Sequence, residues 1–199
     1  MDITKFAILK KLAGGGGGGG DHADEDAIVS RTITDYTNDR VTSIGTYAFT
    51  GCSSLTSADF PAATSIGKSA FEVCSNLTSA DFPAAASIEA GAFTECSNLT
   101  SVDFPAATSI GEFAFGGCSN LTSLILRVTT QVCTLSNTSA FNSTPIKSGT
   151  GYIYVPAALI DSYKTATNWT KYANQFRALE SYTVDGTTTG ELDPTKVNA

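Results

Sequence analysis

Thr64-Ser65-Ile66-Gly67-Lys68-Ser69-Ala70-Phe71-Glu72-Val73-Cys74-Ser75-Asn76-Leu77-Thr78-Ser79-Ala80-Asp81-Phe82-Pro83 is one copy of a unit that recurs along the chain. Ile44, Ile66, Ile88 and Ile110 stand 22 residues apart, and so do Phe49, Phe71, Phe93 and Phe115. Cys52, Cys74, Cys96 and Cys118 keep the interval, as do Leu55, Leu77, Leu99 and Leu121. A constant period of this length marks a solenoid, because one unit cannot bury its apolar side alone and successive coils must stack around a shared core.

Within the unit, Leu77, Ala80 and Phe82 take the first, fourth and sixth places of an L-x-x-L-x-L strand pattern. Pro83 ends that strand, since it has no amide to give a ladder. Ile66 enters the core on a second short extended piece, Gly67 allows the turn, and Ala70, Phe71 and Cys74 fit one turn of helix or 3-10 helix with a buried inner face. Ser43-Ile44-Gly45 with Ala48-Phe49 and Cys52, recurring through Ser109-Ile110-Gly111 with Ala114-Phe115 and Cys118, resembles the BspA-like class of leucine-rich repeats over residues 28 to 145. Members of that class are often bacterial surface or secreted adhesion proteins, so the resemblance implies binding to a protein or glycan and a cell-surface or extracellular location.

The fold expected is an α/β leucine-rich-repeat solenoid, β-rich with short helical or 3-10 turns and about four full 22-residue coils. Stepping back one period from Leu55 reaches Ile33, so residues 27–41 read as a polar half-repeat that caps the first coil. Residues 42–145 carry the repeats. After Leu126 the phase slips: Val132 falls on the Ile position but Ala140-Phe141 comes late, which places an insertion around Thr134 to Thr138. Residues 146–184 read as a C-terminal cap. Tyr152-Ile153-Tyr154-Val155 closes the sheet, and Pro156 opens a helix burying Leu159, Ile160, Tyr163, Trp169, Tyr172, Phe176 and Leu179, broken near Thr167-Asn168. Residues 185–199 read as a polar, loose tail.

Ahead of the solenoid, residues 1–13 have the spacing of a short amphipathic helix, and residues 14–26 read as a poly-Gly and acidic linker. The four-residue apolar run Phe6 to Leu9 falls short of the about 7–15 residues of a secretory core, so no signal peptide is read there. A net charge of -7 excludes a basic surface for nucleic acid, and no apolar run is long enough to insert in a membrane. His22 with Asp21, Asp24, Glu25 and Asp26 is either a metal-binding cluster or a solvated linker. The cysteines, five in number, are either a column of buried thiols or vertical disulfides.

Catalysis needs a nucleophile, a base and a group that orients it. The one histidine sits in the linker, and Cys-x-x-Cys, His-Glu-x-x-His and Walker-type segments do not occur. No catalytic residue, cofactor or metal ligand is assigned, and the chain is read as not an enzyme. The candidate binding residues are on the strand. Asp59, Asp81 and Asp103 alternate with buried neighbours and project as an acid column, which a basic partner or weakly held Ca²⁺ would relieve; the alternative is simple duplication of one unit, with water and salt screening the charges. Thr78, Ser79, Thr100 and Ser101 spread hydroxyls beside them, with no aromatic among them. Tyr47 and Phe113, on the outer side of the coil, are candidate anchors. Two functions fit: a module binding a protein or glycan on a host or particle surface, or an assembly component, virion-associated for instance, held by the N-terminal helix and tether.

Overall fold

A computed structural model describes residues 34–179 with their side chains, and 181–184 and 187–191 as backbone. The helix read over 1–13, the linker over 14–26 and the first part of the half-repeat lie outside the described residues. In chain order the strands are β1 (Asp35–Thr37), β2 (Ser57–Asp59), β3 (Ser65–Ile66), β4 (Ser79–Asp81), β5 (Ser87–Ile88), β6 (Ser101–Phe104), β7 (Ser109–Ile110), β8 (Ser123–Leu126), β9 (Thr134–Leu135), β10 (Tyr152–Pro156), β11 (Phe176–Leu179), β12 (Ser181–Val184) and β13 (Thr187–Glu191). Two short α-helices, α1 (Pro145–Ser148) and α2 (Ile160–Thr165), belong to the C-terminal end.

Each coil contributes one strand to each of two parallel sheets. The larger is seven-stranded, in the order β1-β2-β4-β6-β8-β10-β11, and the smaller is β3-β5-β7-β9. Register follows the sequence period: Ser57 pairs with Ser79, Ser87 with Ser109, and Ile44 bridges to Ile66. The segment between the sheets, expected as one helical turn, takes the form of consecutive turns in which alternate amides go to different partners. Ala48, Thr50 and Cys52 donate three residues back, whereas Tyr47, Phe49 and Gly51 donate to carbonyls of the next coil. Left-handed backbone at two places per coil makes this alternation possible: Tyr47, Ser69, Gly91 and Phe113 at one, Gly51, Val73, Glu95 and Gly117 at the other.

Between the sheets the repeated residues form continuous columns. Phe49, Phe71, Phe93, Phe115 and Phe141 stack nearly parallel with centroids 4.9, 5.2, 5.5 and 5.6 Å apart. Phe60, Phe82 and Phe104 form a second ladder beside them. Tyr36 lies at the N-terminal end of the described ladders, 5.4 Å from both Phe49 and Phe60. The cysteines are free and buried. The thiols of Cys74, Cys96 and Cys118 donate to the carbonyls of Phe49, Phe71 and Phe93 at 3.0–3.1 Å, so each sulfur links its coil to the preceding one. Burial raises Cys96 well above its ordinary value and pushes Cys118 and Cys133 up to about 12, which keeps these thiols protonated.

The last coil departs from expectation. Leu135, not Val132, pairs with Ile110, 25 residues on, and Phe141 stacks on Phe115. The extra residues therefore fall mainly before Thr134 rather than over Thr134 to Thr138. Just before the shifted strand the backbone of Cys133 is bonded to the cap: its amide donates to the Tyr163 hydroxyl at 2.9 Å, and its carbonyl accepts from Trp169 Nε1 at 2.6 Å.

The cap is less helical than its apolar spacing implies. α2 ends at Thr165, a 3-10 turn spans Trp169–Tyr172, and Phe176–Leu179 is strand β11, parallel to β10. The helix stops where Ala166 takes extended backbone, with Asn168 left-handed just beyond it, and the free edge of β10 offers ladder partners that a helix would waste. Residues 187–191, read as loose tail, pair antiparallel with Ser181–Val184 as β13. The Asp-Gly pair between those segments and the threonine-rich sequence around it are hairpin signals.

Candidate binding face

Alternate residues of the seven-stranded sheet point away from the core. Pairing aligns Thr37, Asp59, Asp81, Asp103, Ile125, Tyr154 and Arg177 in one column, and Asp35, Ser57, Ser79, Ser101, Ser123 and Tyr152 in the next. The acid column expected from the repeat is thus one continuous row. Neighbouring members are one strand spacing apart, about 4.8 Å.

The three aspartates are not equivalent. Asp103 is held by Arg127, whose Nε donates to both carboxylate oxygens at 3.1 and 2.9 Å while Nη2 lies 2.8 Å from Oδ2. Among the described residues none donates to Asp81. Partial desolvation, then Asp59 and Asp103 on either side, raise its pKa above the ordinary carboxylate value. Asp35 is the contrast: hydrogen bonds from Ser57, Thr34 and Thr56 hold its pKa below the ordinary value.

A carboxylate whose folded pKa is raised binds its proton more tightly folded than unfolded, so its penalty is absent at low pH and grows as pH rises through the unfolded and then the folded pKa. Asp81→Asn is therefore expected to raise the thermal midpoint at neutral pH and to flatten its pH dependence above the ordinary carboxylate pKa of about 4. Equal midpoints for variant and parent at pH 7 would show that water and counter-ions already neutralise the column.

Threonine hydroxyls are partly committed elsewhere. Thr56, Thr78 and Thr122 donate to the carbonyls of Thr34, Thr56 and Thr100 in the preceding coil. Thr100, Ser79 and Ser101 remain at the surface as exposed or half-buried groups. Tyr47 and Phe113 are in the turns rather than on a strand, so the structure separates them from the aspartates.

The expectation that this face lacks aromatics is corrected at its C-terminal end. Beyond Ile125 the two columns continue with Tyr152 and Tyr154, whose rings meet edge to face at 6.5 Å. The Arg177 guanidinium lies 4.2 Å from the Tyr152 ring centroid and is fixed by donation to the carbonyls of Asn174 and Phe176 at 3.0 and 2.8 Å. Alternation in Tyr152-Ile153-Tyr154-Val155 was the available signal, since Ile153 and Val155 are buried and the tyrosines must then face outward. Arg177 had none, because its strand was read as helix. Among the described residues no group of three His, Cys, Asp or Glu side chains comes together to hold a metal, and no helix is long and apolar enough to cross a membrane.

Stacked coils that each add a parallel strand to two sheets, an L-x-x-L-x-L core and a polar strand face define a leucine-rich-repeat solenoid. The chain belongs to the BspA type leucine rich repeat family, whose repeat matches in six copies over residues 31–147. That family suggests a protein-binding or adhesion-type role. A leucine-rich repeat protein of T. pallidum is similar in fold, with a TM-score of 0.51 and 24% identity over 64% of this chain. Another from Bacteroides ovatus has a TM-score of 0.55 and 22% identity over 73% of the chain. The chain spans 59% and 36% of the lengths of these two proteins. No curated protein matches it.

Proposed function

We propose that this chain is a non-enzymatic adhesion module that binds a protein or glycan on another surface through the outer face of its seven-stranded sheet. The observation that carries this reading is the Tyr152, Tyr154 and Arg177 cluster at the end of the hydroxyl and acid columns. Tyrosine and arginine are the side chains that most often anchor interfaces, because each combines a large rigid contact area with a directed polar group. Arg177 is already oriented, so little of its rotamer entropy is lost on binding. Asp59, Asp81, Ser79, Ser101 and Thr100 supply the surrounding polar rim, and the unrelieved charge at Asp81 favours a partner that brings a cation to it.

The test is binding to immobilised host-surface glycoproteins, intact and deglycosylated. The Tyr152→Ala, Arg177→Ala double variant is expected to lose at least about thirtyfold in affinity, the loss typical of removing an anchor worth 2 kcal/mol or more. Its thermal midpoint should stay within a few degrees of the parent, since both residues are surface groups. Undiminished binding by that variant removes the sheet face from the reading, and retention of binding after deglycosylation assigns the partner as protein.

A further inference from the structure

The turns between the two sheets carry a second surface, separate from the strand face. Tyr47 is 47% exposed and Phe113 44% exposed, at the same place in coils three steps apart. Amides at this position donate from coil to coil, Tyr47 to Lys68, Ser69 to Ala90 and Gly91 to Glu112, so the position forms a column along the solenoid. The two coils between the aromatics hold Ser69 and Gly91 at that position. Two rings thus stand as posts about 14 Å apart, three coil spacings of roughly 4.8 Å, over a floor of small residues.

Both posts have left-handed backbone, φ 59° at Tyr47 and 53° at Phe113, where Gly91 has φ 67°. A side chain in that region costs roughly 1–2 kcal/mol relative to glycine. Glycine is structurally adequate there, as Gly91 demonstrates, so the aromatics are held against a folding cost. The same turns are acidic: Glu72, Glu89, Glu95 and Glu112 lie in them against the single base Lys68. Glu89 and Glu112 are exposed, and the Glu89 carboxylate accepts the Lys68 amide at 2.9 Å, which seats it beside the column.

We propose that this ridge binds an extended basic segment of a partner protein lying along the solenoid axis, with two arginine or lysine side chains against Tyr47 and Phe113. Cationic groups are attracted to the faces of both rings and to the flanking carboxylates. In an extended peptide, residues four apart are about 13–14 Å from each other, which matches the posts. The floor of Ser69 and Gly91 lets the backbone between them lie close.

The test uses fluorescein-labelled peptides with two arginines four residues apart, the same peptide with the arginines adjacent, and one with glutamates in their place, read by fluorescence polarisation at low and moderate salt. The spaced peptide is expected to bind most tightly and to weaken with salt. Phe113→Gly and Tyr47→Gly should each reduce its affinity at least tenfold while raising the thermal midpoint, because strain is relieved as the post is lost. The Tyr152→Ala, Arg177→Ala variant should bind the peptide as the parent does, which separates this ridge from the sheet face. Equal affinity of the glycine variants, indifference to arginine spacing, or preference for a neutral oligosaccharide over the spaced peptide would each overturn the proposal.

Discussion

Phe93→Ala is expected to lower the free energy of unfolding by about 3–5 kcal/mol, the range for removing a buried aromatic ring whose site cannot collapse. Phe93 has no exposed surface and sits mid-ladder, 5.2 Å from Phe71 and 5.5 Å from Phe115, with Phe82 and Phe104 across at 5.9 and 6.0 Å. Each aromatic contact adds about 0.5–1.5 kcal/mol beyond burial of area. Because each coil touches only its neighbours, the loss falls on two coil interfaces and should divide the solenoid. Urea unfolding followed by far-UV circular dichroism and by Trp169 fluorescence then separates into two transitions, where the parent shows one. A loss below about 1 kcal/mol, or coincident transitions in the variant, would mean that the neighbouring coils close over the vacancy.

Trp169→Ala is expected to cost a similar about 3–5 kcal/mol, but at one end only. The indole is fully buried among Phe141, Tyr163, Tyr172 and Phe176, with centroids 6.1, 5.6, 6.2 and 5.7 Å away. Its Nε1 donates to the Cys133 carbonyl at 2.6 Å, at the place where the chain leaves the 22-residue period. Trp169→Phe keeps most of the packing and orphans that carbonyl, which should cost about 1–3 kcal/mol. Hydrogen exchange is the measurement: amides of β10, β11 and α2 should lose protection in Trp169→Ala, with those of β4 and β6 retained. Uniform loss across the chain would show that the cap and the coils unfold as one unit.

These two sites differ in how far they were legible. Phe93 could be placed in the core from spacing alone, because its equivalents recur in every coil and only an inward position demands the same shape each time. The acid column was legible from the same period, because on an alternating strand the residues between buried neighbours face outward and recur coil upon coil. Trp169 could be assigned to the cap by its size and apolar company, yet its bond to Cys133 and the shifted register at Leu135 were not, since they arise where the repeat ends. Phe176 and Leu179 were read as helical because their spacing from Tyr172 suits a helix; the open edge of β10 made them a strand. Arg127 is the same kind of case. Nothing in its local sequence ties it to Asp103, which lies 24 residues back and comes beside it only when the coils stack.

The strict period determined by itself the solenoid, the identity of the buried columns and the alignment of the aspartates. It could do so because stacking one coil on a copy of itself requires the same buried side chain at the same place each time. Tertiary structure alone decided how the end of the repetition is built: the pairing of Leu135 with Ile110, the strand at Phe176–Leu179, and the joining of Arg177 to Tyr152 and Tyr154 on the sheet face. It also decided that Tyr47 and Phe113 stand in left-handed backbone on one ridge. Surface residues that do not recur with the period, such as Tyr152, Tyr154 and Arg177, are arranged by which strands become neighbours, and that arrangement is absent from the spacing.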